Sequence, residues 1–153
     1  MDGYTVYPFP FGQLLVRYQD GAVTRLTRTE EPVREEGRTA LTDLVFQQIS
    51  EYLEGRRRTF DFPYVLKGTP FQQRVWQALC TIPYGETRTY GEIAAAVGSP
   101  KAFRAVGMAN HQNPIFIAVP CHRVIGAGGR LVGYGGGLDM KEALLQMERR
   151  ALE

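Results

Sequence analysis

The sequence has no apolar run approaching the roughly 18 residues that a bilayer span requires. Its opening, Met1-Asp2-Gly3-Tyr4, lacks the basic and apolar regions of a secretory signal. Secretion and membrane insertion are therefore disfavoured, and a cytoplasmic protein is expected. Thiol and imidazole metal ligands are scarce. Two cysteines, Cys80 and Cys121, and two histidines, His111 and His122, are the whole supply. No CxxC and no HExxH occurs, and residues 1–67 contain neither cysteine nor histidine. A four-ligand zinc site has little support, so neither a metal nor another cofactor is expected. A Cys80–Cys121 disulfide can be drawn on paper, but without a secretory signal reduced thiols are favoured. Internal repeats and low-complexity segments are also missing.

What is present is a chain of 153 residues, 44% hydrophobic, 22% charged and 11% aromatic. That length suits one domain or two small ones and buries roughly 68–70% of the unfolded surface, so no staple is needed. The composition argues against global disorder. The net charge of +2 is unevenly spread. Residues 1–66 carry 8 Lys/Arg against 10 Asp/Glu, and residues 67–153 carry 10 against 6. The C-terminal part is thus basic and could face a polyanion, although ordinary surface scatter reads the same way. The run Arg56-Arg57-Arg58 reads as a helix C-terminal cluster rather than a nucleic-acid patch.

Residues 13–29 read as a hairpin, with Leu14, Val16 and Tyr18 alternating before an Asp20-Gly21 turn. Residues 30–38 are charged and read as a loop. Leu41, Leu44, Val45, Ile49, Tyr52 and Leu53 have helical spacing, with Gly55 just after. Residues 58–66 read as extended, and Lys67-Gly68-Thr69-Pro70 as a boundary. The expected domains are therefore residues 1–67 and 68–153. Beyond it Thr69 caps a helix starting at Pro70, with Phe71, Val75, Trp76 and Leu79 on one face. Thr89 and Glu92 form a capping box for a short helix that Gly98 closes. Ser99-Pro100 opens another, to about Asn110, and the two helices read as a helix-turn-helix. Residues 115–119 and 131–134 read as strands, 126–129 as a turn, 135–137 as a flexible loop, and a last helix runs from Asp139 to about Arg150.

Two features point to chemistry. The second helix of the pair is thin, with Ala102, Ala105, Gly107 and Ala109, and Arg104 is its one long basic side chain. A thin helix can approach a minor groove only about 6 Å wide, or simply pack tightly on its neighbours. The sharper feature is Pro120-Cys121-His122-Arg123-Val124-Ile125. A thiol at its ordinary pKa of ~8.5 is only a few per cent thiolate near neutrality, so a reactive one needs a base or a positive field. In an extended strand His122 would point away from Cys121, so contact needs a turn or a bridging water. Glu148 on the last helix is a candidate to orient His122. The alternative is that Cys121 is a buried small hydrophobe.

The string Pro120-Cys121-His122-Arg123-Val124 resembles the active-site signature of the O6-alkylguanine-DNA alkyltransferases, the methylated-DNA–protein-cysteine methyltransferases. The likeness extends to Phe71-Gln72-Gln73-Arg74-Val75-Trp76, Ile82-Pro83-Tyr84-Gly85-Glu86-Thr87, Tyr90-Gly91-Glu92-Ile93-Ala94, Lys101-Ala102-Phe103-Arg104-Ala105-Val106-Gly107, Asn113-Pro114 and Gly136-Gly137-Leu138, with Lys141, Glu142, Leu145 and Glu148 after it. It is strong over residues 68–148. It is weaker in the first third, where Tyr52-Leu53-Glu54-Gly55 and Phe60-Asp61-Phe62-Pro63 fit.

The resemblance implies an α+β protein. A small N-terminal ribonuclease-H-like antiparallel sheet with a helix would act as scaffold, and a C-terminal helical domain would carry a winged-helix-like helix-turn-helix. It implies DNA repair by direct reversal. O6-alkylguanine, with O4-alkylthymine as a second lesion, would be flipped out of duplex DNA and its alkyl group moved irreversibly to Cys121. His122 would take the thiol proton through a water, Glu148 would orient His122, and Asn113 would brace the turn. Tyr90 would crowd the phosphate of the flipped nucleotide and donate a hydrogen bond to the departing guanine. Arg104 would fill the vacated place in the duplex. Lys101, Ala102, Ala105, Tyr90 and Arg123 would join it as minor-groove DNA contacts. Val124, Tyr134, Gly135, Gly136 and Phe116 would form the base pocket. The implied complex is a monomer on double-stranded DNA, with copies able to cluster along it.

Some relatives have serine at the position of Gly135, and a small residue or proline at that of Phe116. These departures bear on bulky adducts. Relatives that only bind lesions replace the cysteine, which is present here. Two rivals stand beside this reading: a helix-turn-helix DNA-binding protein without chemistry, and a cysteine hydrolase using Cys121, His122 and Glu148.

Overall fold

A computed structural model describes residues 2–153. The fold is α+β, and it divides into two compact units between Lys67 and Gly68.

The first unit is built on three antiparallel strands in the order β1 (Asp2–Phe9), β2 (Gly12–Gln19) and β3 (Ala22–Thr29). The β2–β3 turn forms because Asp20 and Gly21 both take positive φ, the conformation a tight hairpin of this hand requires. β1 was not expected from the pattern. Pro8 and Pro10 bracket Phe9 and disguise it, yet Pro8 is tolerated because β1 lies at the end of the sheet order. Residues 30–38 are more than a loop, since Arg34 and Val6 exchange backbone hydrogen bonds of 3.0 and 3.1 Å.

Helix α1 (Ala40–Leu53) starts at a reciprocal capping box between Thr39 and Thr42. It buries Thr42, Val45, Gln48, Ile49 and Tyr52, whereas Leu44 is exposed. The buried stripe is therefore rotated from the expected one. Two polar side chains displace a leucine because each finds a partner. Thr42 bonds the hydroxyl of Tyr7, and Gln48 bonds Asp61. The Tyr7 ring stacks on Phe46 with centroids 4.4 Å apart, joining sheet to helix.

In the second unit, helix α2 (Pro70–Leu79) has Thr69 as cap and proline in its first turn. Val75, Trp76 and Leu79 are buried, and the Trp76 indole donates to the Ala109 carbonyl at 2.8 Å. A two-residue strand β4 (Arg88–Thr89) leads into α3 (Tyr90–Ala96), capped by Thr89 with Glu92. Helix α4 (Phe103–His111) packs on α3 and α2. It starts later than the Ser99-Pro100 signal suggests. Residues 99–102 form a separate turn, closed by Ala102 N–H donating to Ser99, and Ala102 is an unassisted cap.

Two expected strands are absent. Residues 115–119 turn sharply, with Ile117 at φ 71° and the Val119 amide bonded to the Ile115 carbonyl. Residues 131–134 do not pair as a strand; Val132 gives its carbonyl to side chains instead. A short strand β5 (Val124–Ile125) pairs in parallel with β4. Helix α5 (Leu138–Ala151) buries Met140, Lys141, Leu144, Leu145 and Glu148. No helix is long and apolar enough to cross a membrane among the described residues.

The rotated stripe on α1 has a measurable consequence. Ile49→Ala is expected to cost about 2–5 kcal/mol in urea denaturation, and Leu44→Ala no more than about 0.5 kcal/mol. Equal losses would restore the stripe expected from the sequence.

Candidate active site

Cys121 opens a single turn of 3-10 helix, Cys121–Arg123, immediately after Pro120. The turn exists because the chain before it is already folded back. The Asn113 side chain receives the Ile115 amide at 3.0 Å and donates to the Val119 carbonyl at 2.7 Å. The Cys121 amide in turn donates to Val119 at 2.8 Å. Asn113 thus braces the loop that carries the cysteine, and its amide also favours the thiolate. From behind, Asn110 donates to the Cys121 carbonyl at 3.3 Å.

The turn sends His122 into the interior. His122 and Glu148 are both fully buried, with His122 Nε2 and Glu148 Oε2 2.7 Å apart. Burial holds the imidazole below its ordinary pKa, against the upward pull of Glu148. A neutral imidazole at pH 7 is a competent proton acceptor.

Arg123 corrects an expectation. It does not face outward toward DNA. Its Nε donates to Glu148 Oε1 at 2.9 Å, one terminal nitrogen to Oε2 at 3.0 Å, and the other to the Ile82 carbonyl at 2.8 Å. The reason is electrostatic: a carboxylate buried beside a neutral histidine needs a cation, and the planar guanidinium fits it in fork geometry. The Gly85 amide adds a fourth donor to Glu148 at 3.0 Å. Gly85 sits at φ 81°, and a Cβ there would lie 2.2 Å from Leu152 Cδ1. The positive φ is a backbone conformation that glycine adopts without strain.

Lys141 is a site residue that the sequence reading did not single out. Its ammonium is buried, donating to the Val124 carbonyl and, at 3.0 Å, to that of Val132. Burial lowers it to about 8, and the charge of Cys121 opposes that fall. The hint was its position. An aliphatic residue would suit this inward face of α5, and a lysine there needs acceptors. Burial likewise pushes the Cys121 thiol up to about 11, with Asn113 and Lys141 acting against the rise. At rest the sulfur is a protected thiol, so it needs the base.

Tyr90, at the start of α3, donates its hydroxyl to Val132 O at 3.0 Å. Burial raises its pKa, and so does the nearby Cys121 charge, which keeps it a donor. Tyr90, Arg104, Gly107, Met108, His111, Gln112, Val132 and Gly133 line an open groove of about 410 Å³. Arg104, Ala105 and Lys101 are exposed on or beside α4, while Ala102 is half-buried. Phe116, Val124, Tyr134 and Gly136 are buried, and Gly135 is exposed. A Cβ on Gly136 would meet the Tyr134 ring at 2.6 Å. Cys80 is exposed at the end of α2 and is not bridged to Cys121.

The inward role of Arg123 is testable. Arg123→Leu is expected to lower stability by about 3–5 kcal/mol, because the buried carboxylate loses its cation. Arg104→Ala, on the exposed side, should cost no more than about 0.5 kcal/mol by the same denaturation assay.

Comparison with known proteins gives the same picture along the whole chain. Residues 70–150 match the DNA-binding domain of 6-O-methylguanine DNA methyltransferase, and residues 3–66 match its ribonuclease-like domain. A methylated-DNA–protein-cysteine methyltransferase of Mycolicibacterium paratuberculosis is 50% identical, over 96% of this chain and 92% of its own. The constitutive Bacillus subtilis protein of that name is 47% identical, over 97% and 96%. A crystal structure of Mycobacterium tuberculosis O6-methylguanine methyltransferase superposes with a TM-score of 0.87 at 46% identity, covering 99% of this chain and 94% of that one. A Mycobacterium tuberculosis relative crystallised in complex with DNA gives 0.88 at 47% identity, covering 97% and 93%. With both of its units matched, the chain belongs to the methylated-DNA–protein-cysteine methyltransferase family.

Proposed function

We propose that the protein repairs DNA by direct reversal, taking the alkyl group from O6-alkylguanine onto Cys121 in a single irreversible turnover. The observation that carries this reading is the buried sulfur set next to a neutral His122 locked on Glu148. A DNA-binding protein without chemistry has no need of that pair.

In duplex DNA the O6 substituent lies within the stack, so the nucleotide is flipped out, at a cost of a few kcal/mol. Helix α4 lies in the minor groove, where Ala105 and Gly107 permit close approach and Lys101 and Ala102 flank the backbone. Arg104 occupies the gap left by the base. The base enters beside Tyr90 and is held by the chain around Val124, Tyr134, Gly135 and Gly136, with Phe116 in the wall.

With His122 Nε2 engaged by Glu148, exchange with the thiol falls to Nδ1 through a bridging water. The thiol proton moves to His122, and Glu148 stabilises the imidazolium. The new S–C bond forms as the C–O6 bond breaks, and the electron pair stays on guanine. Tyr90 exchanges its Val132 acceptor for the base and donates to the developing anion. The proton taken from Cys121 is returned through the solvent, so a thiol and an alkylguanine give a thioether and guanine. Lys141 lowers the cost of charge on sulfur. No neighbouring group can cleave a thioether, so the protein is consumed. Single-protomer action on DNA, with copies clustering on it, and a second activity on O4-alkylthymine complete the proposal.

Intact mass after incubation with duplex containing O6-methylguanine tests it. The protein should gain one methyl permanently, and Cys121→Ala should gain none. A protein that stays unmodified is a binder, and many turnovers of an ester without modification indicate a hydrolase.

The pH dependence has a definite sign. Burial depresses His122, so its neutral form persists below its ordinary pKa of about 6.5. Burial also raises the thiol to about 11. The transfer rate should be flat from about pH 6.5 to about pH 8, fall in more acid solution, and decline above about pH 8 as Lys141 loses the charge that favours the sulfur anion. A tenfold rise per pH unit across that range would mean a pre-ionised thiolate acting without the histidine.

A further inference from the structure

Three arginines of the first unit gather where neither the fold nor the proposed reaction uses them. Tyr7 meets α1, so by strand alternation Tyr4 lies on the other face of the sheet. The register sets Tyr4 opposite Arg17, and Arg17 opposite Arg25, in one row across β1, β2 and β3. The Arg17 guanidinium lies over the Tyr4 ring, 4.8 Å from its centroid, and that of Arg34 lies over the same ring at 4.4 Å. Arg34 also donates to the Tyr4 hydroxyl at 3.4 Å and has the Glu36 carboxylate at 3.5 Å. Arg17 and Arg25 are exposed, and among the described residues neither has a carboxylate partner. Like charges directly opposite each other across a strand pair are destabilising, and a guanidinium cannot shed its proton. Composition does not force this pairing, because residues 1–66 hold more acidic than basic residues, 10 against 8. A repulsion with no internal partner points to an anion from outside the chain.

We infer that Arg17 and Arg25 bind the phosphate backbone of duplex DNA, which gives the first unit a DNA contact of its own. The inference rests on DNA being the substrate in the function proposed above. Duplex DNA presents about one negative charge per 1.7 Å of helix axis, so two neighbouring cations find neighbouring acceptors. The planar fork of a guanidinium matches two phosphate oxygens at once. Arg34 and Tyr4 complete the surface. The Tyr4 hydroxyl accepts from Arg34 and so keeps its own hydrogen to donate to a phosphate oxygen. The ring beneath Arg17 holds that side chain before DNA arrives, which lowers the cost of ordering it. Such contacts position the protein without reading sequence. They fit a repair protein that must meet a lesion in any sequence context.

The test measures the affinity of the full-length protein for lesion-free duplexes over a range of NaCl concentrations. Arg17→Gln combined with Arg25→Gln should weaken binding to every duplex sequence alike. It should also make the slope of log K against log salt shallower by about 1.8, at about 0.9 for each lost phosphate contact. Arg56→Gln combined with Arg57→Gln removes the same charge from the same unit, where Glu54 and Glu51 already pair with it, and should leave the slope unchanged. An unchanged slope in the first variant, or an equal loss in the second, would overturn the contact. Weaker binding to heparin with unaltered binding to duplex would assign the surface to another polyanion and overturn it too. Two further readouts separate the contact from a structural role. Arg25→Gln alone relieves the repulsion, so its urea midpoint should be no lower than that of the unsubstituted protein, and a clearly lower one would mean that the arginine serves the fold. Alkyl transfer from free O6-benzylguanine, which needs no duplex, should keep its rate in the Arg17/Arg25 variant, and a matching loss there would refute a role confined to DNA. Absence of transfer from methylated duplex would instead defeat the function proposal without altering the salt slope, so the two failures are distinct.

Discussion

The carboxylate of Glu148 is fully buried and accepts hydrogen bonds from Arg123, from the Gly85 amide and from His122. Three parts of the second unit meet at these two oxygens: α5, the turn after Pro120, and the connection between α2 and β4. Removing two ions from water is costly and is repaid only when geometry is good and every remaining lone pair is used. Here it is repaid by a bidentate guanidinium, a backbone amide and an imidazole. The cluster fixes the ring of His122 and, through the one-turn helix, the place of the sulfur. The geometry of the proposed transfer and folding stability are thus drawn from the same contacts.

The sulfur itself is set in opposition to its surroundings. Burial raises the thiol to about 11, which protects it from adventitious oxidation and alkylation. Asn113 and Lys141 pull the other way, and a neutral base stands next in sequence. In the proposed reaction, transfer depends on a substrate that reaches the buried side of Tyr90 and on a proton leaving through His122. A resting thiol with its charge-stabilising groups already in place suits the single turnover proposed for it.

Local signals explain which elements could be read from the sequence. The caps at Thr69 and Thr89 place two helix starts, because each bonds the backbone three residues on. Asp20-Gly21 marks the β2–β3 hairpin through backbone conformation alone. Failures cluster where partners are distant. β1 needs β2 to be recognisable, and the α1 stripe is rotated because Tyr7 and Asp61, outside the helix, satisfy Thr42 and Gln48. Residues 115–119 and 131–134 have strand-like composition but spend their backbone groups on a tight turn and on side chains.

The reactive group is legible for a different reason. Cys121 and His122 are adjacent, and the Asn113, Tyr90 and Glu148 positions fall in the strings that resemble the family, so the resemblance carries them. Which direction a charged side chain faces is not local. Arg123 reads as a surface cation, and only the burial of Glu148 turns it inward; Lys141 and Asn110 read as ordinary helix residues, and only two carbonyls and the Cys121 backbone give them work. Helix starts were determined by the chain itself, through interactions spanning a few residues, and the proposed nucleophile was legible through the resemblance. The burial of charge and the pairing of donors with acceptors were decided by tertiary structure, because the energy of a charge depends on what surrounds it in space.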